Sequence, residues 1–236
     1  MAARAAEVQH EIRAAADPEC AAIARSFFKT GRGEYGHGDR FLGLTVPEQR
    51  RIARRHADFP WAELRILLRS AYHEERFVAL IILTMQFERG DAAARTQIVR
   101  RYRTAIVRSV NNWDLVDATA YKILGEYLRT HPTERRLLVT LARSRNLWER
   151  RVAIIATLAF IARNEFTDTF RIADILLADS QDLIHKAVGW MLREVGKRDR
   201  RALEAFLRTR HTRMPRTMLR YAIERFPENK RRKYLR

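Results

Sequence analysis

The sequence predicts an all-α protein built as an α-solenoid. Two observations carry that prediction. Apolar residues recur at helical spacing almost throughout, and the nine Gly and six Pro of the 236 residues mostly mark breaks between periodic segments. A short pattern, a helix entered through basic residues with a small residue one turn in, also returns along the chain. The length suits one large domain or two small ones, and the recurrence favours a single repeat domain over residues 1–236.

The elements follow in order. A first amphipathic helix is expected over about 5–16, ending before Pro18. Arg4, Glu7, His10, Glu11 and Arg13 interrupt any signal-peptide core in this Ala-rich start. A second helix should cover 19–28. The stretch 30–40 holds Gly31, Gly33, Gly36 and Gly38 and must be a loop. Pro47 then stands in the first turn of a third helix, with Thr45 as its N-terminal cap.

From there Glu75-Arg76-Phe77-Val78-Ala79-Leu80-Ile81 compares with Arg150-Arg151-Val152-Ala153-Ile154-Ile155. His185-Lys186-Ala187-Val188-Gly189-Trp190-Met191 is a third copy, and residues 216–222 are a degenerate fourth. The stretch Trp113 to Leu128 fits between the first two. Spacings of about 34 to 40 residues with two helices per unit suggest repeats of the HEAT or armadillo kind. Stacked repeats present equivalent helices on one concave face, which would place Trp113, Arg151 and Trp190 on neighbouring helices of a basic surface. A non-repetitive helical bundle would not align them. The chain closes on a final helix and a basic end reaching Arg236, of a kind usually solvated.

Charge points to the partner. Forty-six basic against 28 acidic residues leave a net +18 and a pI near 11.1. Such a field implies a polyanion, nucleic acid first and an anionic membrane second. The basic residues are mostly Arg, which suits bidentate phosphate contact. Compositional bias explains Arg over Lys but not the excess over Asp and Glu. No apolar run approaches the roughly 18 to 20 residues of a spanning helix. The single Cys20 excludes an intramolecular disulfide and all-cysteine metal sites. The expectation is a reducing, cytoplasmic protein, nucleoid-associated when bound to DNA. Walker, His-Glu-x-x-His and Gly-x-Ser-x-Gly motifs are absent, and the seven histidines are scattered, so neither a metal nor another cofactor is expected.

One stretch carries candidate chemistry, Asn111-Asn112-Trp113-Asp114-Leu115-Val116-Asp117. Trp113 and Asp117 are four residues apart and share a helix face. Asn111 suits an N-cap and Asp114, three residues on, a capping box at the helix start. Asp117 lies further in. It either pairs with one of the many arginines or opposes positive charge developing on a sugar or base. A carboxylate on a DNA-binding face repels phosphate, so it needs a compensating reason.

Trp61 and Trp148 lie among apolar repeat neighbours and read as core. Trp113 and Trp190 are open to both core packing and stacking on sugars, bases or cations. Trp190, following Lys186 and Gly189, reads as lying on an open, basic helix face. Arg151 interrupts the stripe of Val152, Ile155 and Leu158. It is either a phosphate clamp or a solvated arginine with its stem packed on the core. Lys186 is the only lysine near the proposed face, and no lyase-type nucleophile is evident.

Taken in order, the chain resembles the AlkD-like DNA alkylation repair proteins, HEAT-like-repeat DNA glycosylases, over nearly its full length. The anchors are residues 27–30 (Phe-Phe-Lys-Thr), 41–47 (Phe-Leu-Gly-Leu-Thr-Val-Pro), 112–117, 148–151 (Trp-Glu-Arg-Arg) and 186–194. The resemblance implies a concave basic face on duplex DNA. It also implies hydrolysis of the glycosidic bond of cationic N3- or N7-alkylated purines, without burial of the base in a pocket, in contrast to base flipping. Asp117 matches the catalytic aspartate that stabilises the oxocarbenium-like sugar and positions water. Trp113 and Trp190 match the tryptophans packed against the lesion nucleotide. Arg151 matches a DNA-contacting arginine, and Phe27, Lys186 and Arg193 complete the DNA-binding set.

The chain departs from that pattern at Phe27, where some members have a tyrosine, and at Asp182-Leu183, where they carry two aromatics. Its Gly-rich loop also exceeds the family's shortest form. The leading expectation is a monomeric, monofunctional alkylpurine-DNA glycosylase. The alternative is a non-catalytic binder of damaged or branched DNA on the same scaffold. A peptide-binding adaptor would leave the +18 charge and Asp117 unexplained.

Overall fold

The computed structural model describes residues 4–235, so Arg236 of the basic end lies outside the described residues. The described chain is helical, with one isolated bridge between Arg40 and Tyr72. It divides into two compact units, residues 1–119 and 120–236.

The first unit contains α1 (Ala5–Ala14), α2 (Pro18–Phe27), α3 (Val46–Arg55), α4 (Trp61–Leu68), α5 (His73–Arg89) and α6 (Ala92–Arg108), and ends in α7 (Trp113–Ala120). The sequence's cap at Thr45 is present: its amide donates to Glu48 at 2.8 Å and Pro47 occupies the first turn. Asp17 caps α2 by accepting the amides of Glu19 and Cys20. The 30–40 stretch forms turns and bends, as expected.

Helix α5 organises this unit. Residues 73–80 are all buried, including His73, Glu74, Glu75 and Arg76. Buried charge is tolerated only where it is paired and hydrogen-bonded, and each of these has partners. Glu74 accepts the amides of Leu42 and Gly43, Glu75 binds Gln9 and Arg13, and Arg76 donates to Asp39 and, at 2.9 Å, to the Ser70 carbonyl. Segment 39–43 is thereby fastened to α5. Gly43 permits this with φ at +92°, and a Cβ there would run into the Asp17 carbonyl.

The second unit begins with a π-helical turn, Tyr121–Gly125, and continues through α8 (Glu126–Thr130), α9 (Arg136–Ala142), α10 (Leu147–Ala156), α11 (Leu158–Ile161), α12 (Thr167–Leu176), α13 (Asp182–Arg198), α14 (Arg200–Arg208), α15 (Arg216–Ala222) and α16 (Glu228–Leu235). Its core gathers Ile154, Phe160, Ile184, Met191 and Leu207, all essentially inaccessible. Helices α13 and α15 pack closely because residue 189 is glycine. An added Cβ would lie 2.5 Å from Tyr221 Cβ and 2.6 Å from the Met218 carbonyl.

The internal repeat has a local signature in hydrogen bonds. The side chain of Ser70 accepts the amide of Tyr72, and the Ser70 carbonyl accepts from Arg76. Ser144 does the same for the amide of Asn146 and the side chain of Arg150. Asp179 repeats it with the amide of Gln181 and the ring of His185. In each copy a short polar side chain turns the chain three residues before the first residue of the helix, and a basic residue six positions on ties the turn down. The basic entries seen in the sequence are thus partly structural. Trp148 is buried, as expected. Trp61 is only half-buried, with the Arg101 guanidinium 4.9 Å above its ring.

Candidate active site

In the first unit the site is built around the start of α7. The Trp113 amide donates to Asn112 Oδ1 at 2.9 Å, and Asn112 Nδ2 reaches Asp39 at 3.1 Å. This corrects the sequence reading. Asn112, fully buried, stands at the helix start, while Asn111 is exposed. Asp114 does not close a capping box with Asn111; it accepts from His73 Nε2 at 2.8 Å.

His73 is also bonded through Nδ1 to Asp39 at 3.0 Å, so its ring bridges two carboxylates. Burial alone would push the imidazole down, but Asp114 and then Asp39 outweigh it and raise its pKa from 6.5 to about 9. At neutral pH it is therefore an imidazolium that donates to both. The Asp39 carboxyl is held below its ordinary value: burial works against this, and His73 and Arg76 prevail.

The rings continue the arrangement. Trp113 stacks on Phe28 at 5.2 Å, Phe28 on Phe41 at 4.9 Å, and Phe41 on His73 at 4.6 Å, with interplanar angles of 18°, 19° and 21°. Phe27, 63% exposed, meets Trp113 edge-on at 5.8 Å. Phe28, Phe41, Leu44, His73 and Asp114 line an apolar pocket of about 260 Å³. Trp113 and Asp117 lie one turn apart on α7, and both are partly exposed. The Asp117 charge is felt by Tyr102: burial above all raises that hydroxyl's pKa, a bond with Thr119 opposes, and Asp117 adds to the rise.

The remaining candidates belong to the second unit. Arg151 is 4% exposed and donates through a guanidinium nitrogen to the Leu183 carbonyl. That corrects the solvated-arginine alternative, because burial takes the whole side chain out of water. Lys186 pairs with Asp182 at 2.7 Å, and Arg193 pairs with Glu224 and, at 3.6 Å, with Glu194. Trp190 is half-buried and its Nε1 donates to Glu194 at 3.0 Å. Gly189 does not open this helix face, since it is buried against α15. The divergent pair Asp182-Leu183 thus supplies partners to Lys186 and Arg151.

Within the first unit the structure brings Phe27 and Trp113 into contact and sets Asp117 one turn beyond. Sequence reasoning missed His73, Asp39, Phe28 and Phe41 as parts of this arrangement. The available signal was His73-Glu74-Glu75-Arg76, four ionisable residues running directly into a buried apolar helix. Among the described residues no group of three or more His, Cys, Asp or Glu could hold a metal ion, and no helix is long and apolar enough to cross a membrane.

The family model for DNA alkylation repair enzyme matches residues 8–226. The chain belongs to the DNA alkylation repair enzyme family. A solved structure described as a predicted DNA alkylation repair enzyme from Enterococcus faecalis is similar, with a TM-score of 0.73 and 20% identity over 90% of this chain and 97% of that one. That likeness supports the all-α helical-repeat fold. No curated protein matches the chain. Family membership supports a DNA repair role for the chain.

Proposed function

We propose that this member of the family is a monofunctional DNA glycosylase. It hydrolyses the N-glycosidic bond of cationic N3- or N7-alkylated purines in duplex DNA, without a pocket for a flipped base. The observation that carries the reading is the exposed edge of α7. A carboxylate, Asp117, stands one turn from an indole, Trp113, that is braced by Phe28, in a chain carrying +18.

An alkylated purine already bears positive charge, so it leaves without a general acid. The C1′–N bond breaks with its electron pair going to the purine, which departs neutral. The sugar is left with oxocarbenium character, and Asp117 opposes that charge and orients the attacking water. Water oxygen bonds to C1′ and its proton passes through the carboxylate to solvent. Fixed electrostatic stabilisation of this kind commonly supplies the largest catalytic contribution.

In this reading Trp113 and Trp190 pack against the lesion nucleotide, Phe27, Lys186 and Arg193 hold the DNA, and the buried Arg151 supports them from behind. Arg151 acts chiefly by fixing the Leu183 carbonyl and the start of α13. The pairings of Lys186 and Arg193 with acidic residues must loosen for either to reach phosphate. The chain acts as a single repeat domain and a monomer, in the cytoplasm and on the nucleoid. Duplex DNA carrying one N7-methylguanine, scored for abasic sites after incubation with the protein, tests the reading. Release no faster than spontaneous loss refutes it and leaves the non-catalytic binder.

A further inference from the structure

We propose that His73 is a positioning residue for the reaction, setting Trp113 and Asp117 in register through the first turn of α7. This rests on the glycosylase reading above for its kinetic part only. His73 lies on a different helix from both residues and reaches them by two routes. One is the hydrogen bond to Asp114, which sits between Trp113 and Asp117 on α7. The other is the continuous ring stack from His73 through Phe41 and Phe28 to Trp113.

The second nitrogen fixes the ring against Asp39, which Arg76 and Asn112 also hold, and Asn112 in turn accepts the Trp113 amide. The first turn of α7 is therefore tethered at residues 112, 113 and 114 to one imidazolium and the carboxylate behind it. Such over-determination is what a side chain needs if it must hold its place while a sugar develops charge beside it.

An uncharged histidine would do this poorly. A neutral ring has one N–H and can donate to only one of Asp39 and Asp114. The charges near it are few and already committed. Glu74, on its own helix, is bonded to the amides of Leu42 and Gly43, and Glu75 faces Gln9 and Arg13 of α1. Arg76 faces Asp39, and His37, Arg69 and Arg108 lie with Asp39 and Arg76 around a separate pocket. From the end of α2 and the segment before α3, the rings of Phe28, which follows α2 directly, and Phe41 meet the imidazole.

The test compares wild type with His73→Phe, which keeps a stacking ring but removes both bonds, and His73→Gln, which can restore one. Circular dichroism first establishes that each is folded. The Trp113 emission spectrum is isolated by subtracting Trp113→Phe. It should shift in His73→Phe and partly return in His73→Gln, and in wild type it should titrate near pH 9. Single-turnover release of N7-methylguanine at saturating protein should fall at least about tenfold in His73→Phe while DNA affinity changes less than about twofold. An unchanged Trp113 spectrum with no alkaline transition overturns the proposal, as does equal release by wild type and His73→Phe. If wild type releases no base, the glycosylase reading fails by itself, and the Trp113 spectra still decide whether His73 positions α7.

Discussion

Raising the pH from about 6 to about 10 should weaken the first unit by removing one proton from His73. The folded pKa near 9 exceeds the ordinary 6.5, so the stabilisation is fully present below 6.5. It declines between 6.5 and 9, where only the folded state keeps the proton, and is gone above 9. A gap of roughly two and a half pKa units at about 1.4 kcal/mol each amounts to about 3 kcal/mol. The ring is 3% exposed, so solvent screens little of this. Urea unfolding followed by tryptophan fluorescence across that pH range checks it, with His73→Gln as the comparison. Wild type should lose about 3 kcal/mol more than the variant between the two ends. Parallel decline of the two proteins would refute the reasoning, since the loss would then belong to other groups.

Other expectations follow from particular contacts. Gly189→Ala should destabilise the second unit by about 1–3 kcal/mol, because its Cβ meets Tyr221 Cβ and the Met218 carbonyl, neither of which a rotamer change can move; thermal unfolding measures it. DNA binding should weaken by on the order of a thousandfold or more between about 50 and about 200 mM salt, as counterion release requires; a salt-independent affinity in a fluorescence anisotropy titration would remove phosphate contact from the account.

Much of this was legible in the residues. The helices, the cap at Thr45, the glycine-rich loop and the recurring entry motif were all set by local chemistry. The helix start at 113 was misjudged by one residue because Asn111 and Asn112 are equally good caps in isolation. Only Asp39, distant in sequence, selects Asn112. Arg151 reads as a phosphate clamp or a solvated arginine because nothing local reveals the carbonyl that waits for it inside the fold. His73 was passed over for the same reason, its partners lying 34 and 41 residues away. Long-range polar pairing leaves no periodic trace, whereas apolar faces do.

The most direct measurement of the central claim is single-turnover release of N7-methylguanine from a one-lesion duplex by wild type and Asp117→Asn. Wild type should release the base well above the spontaneous rate, and loss of the charge should slow it by about a hundredfold to a thousandfold. Equal rates for the two proteins would contradict the assignment of Asp117, and no release by wild type would contradict the glycosylase itself.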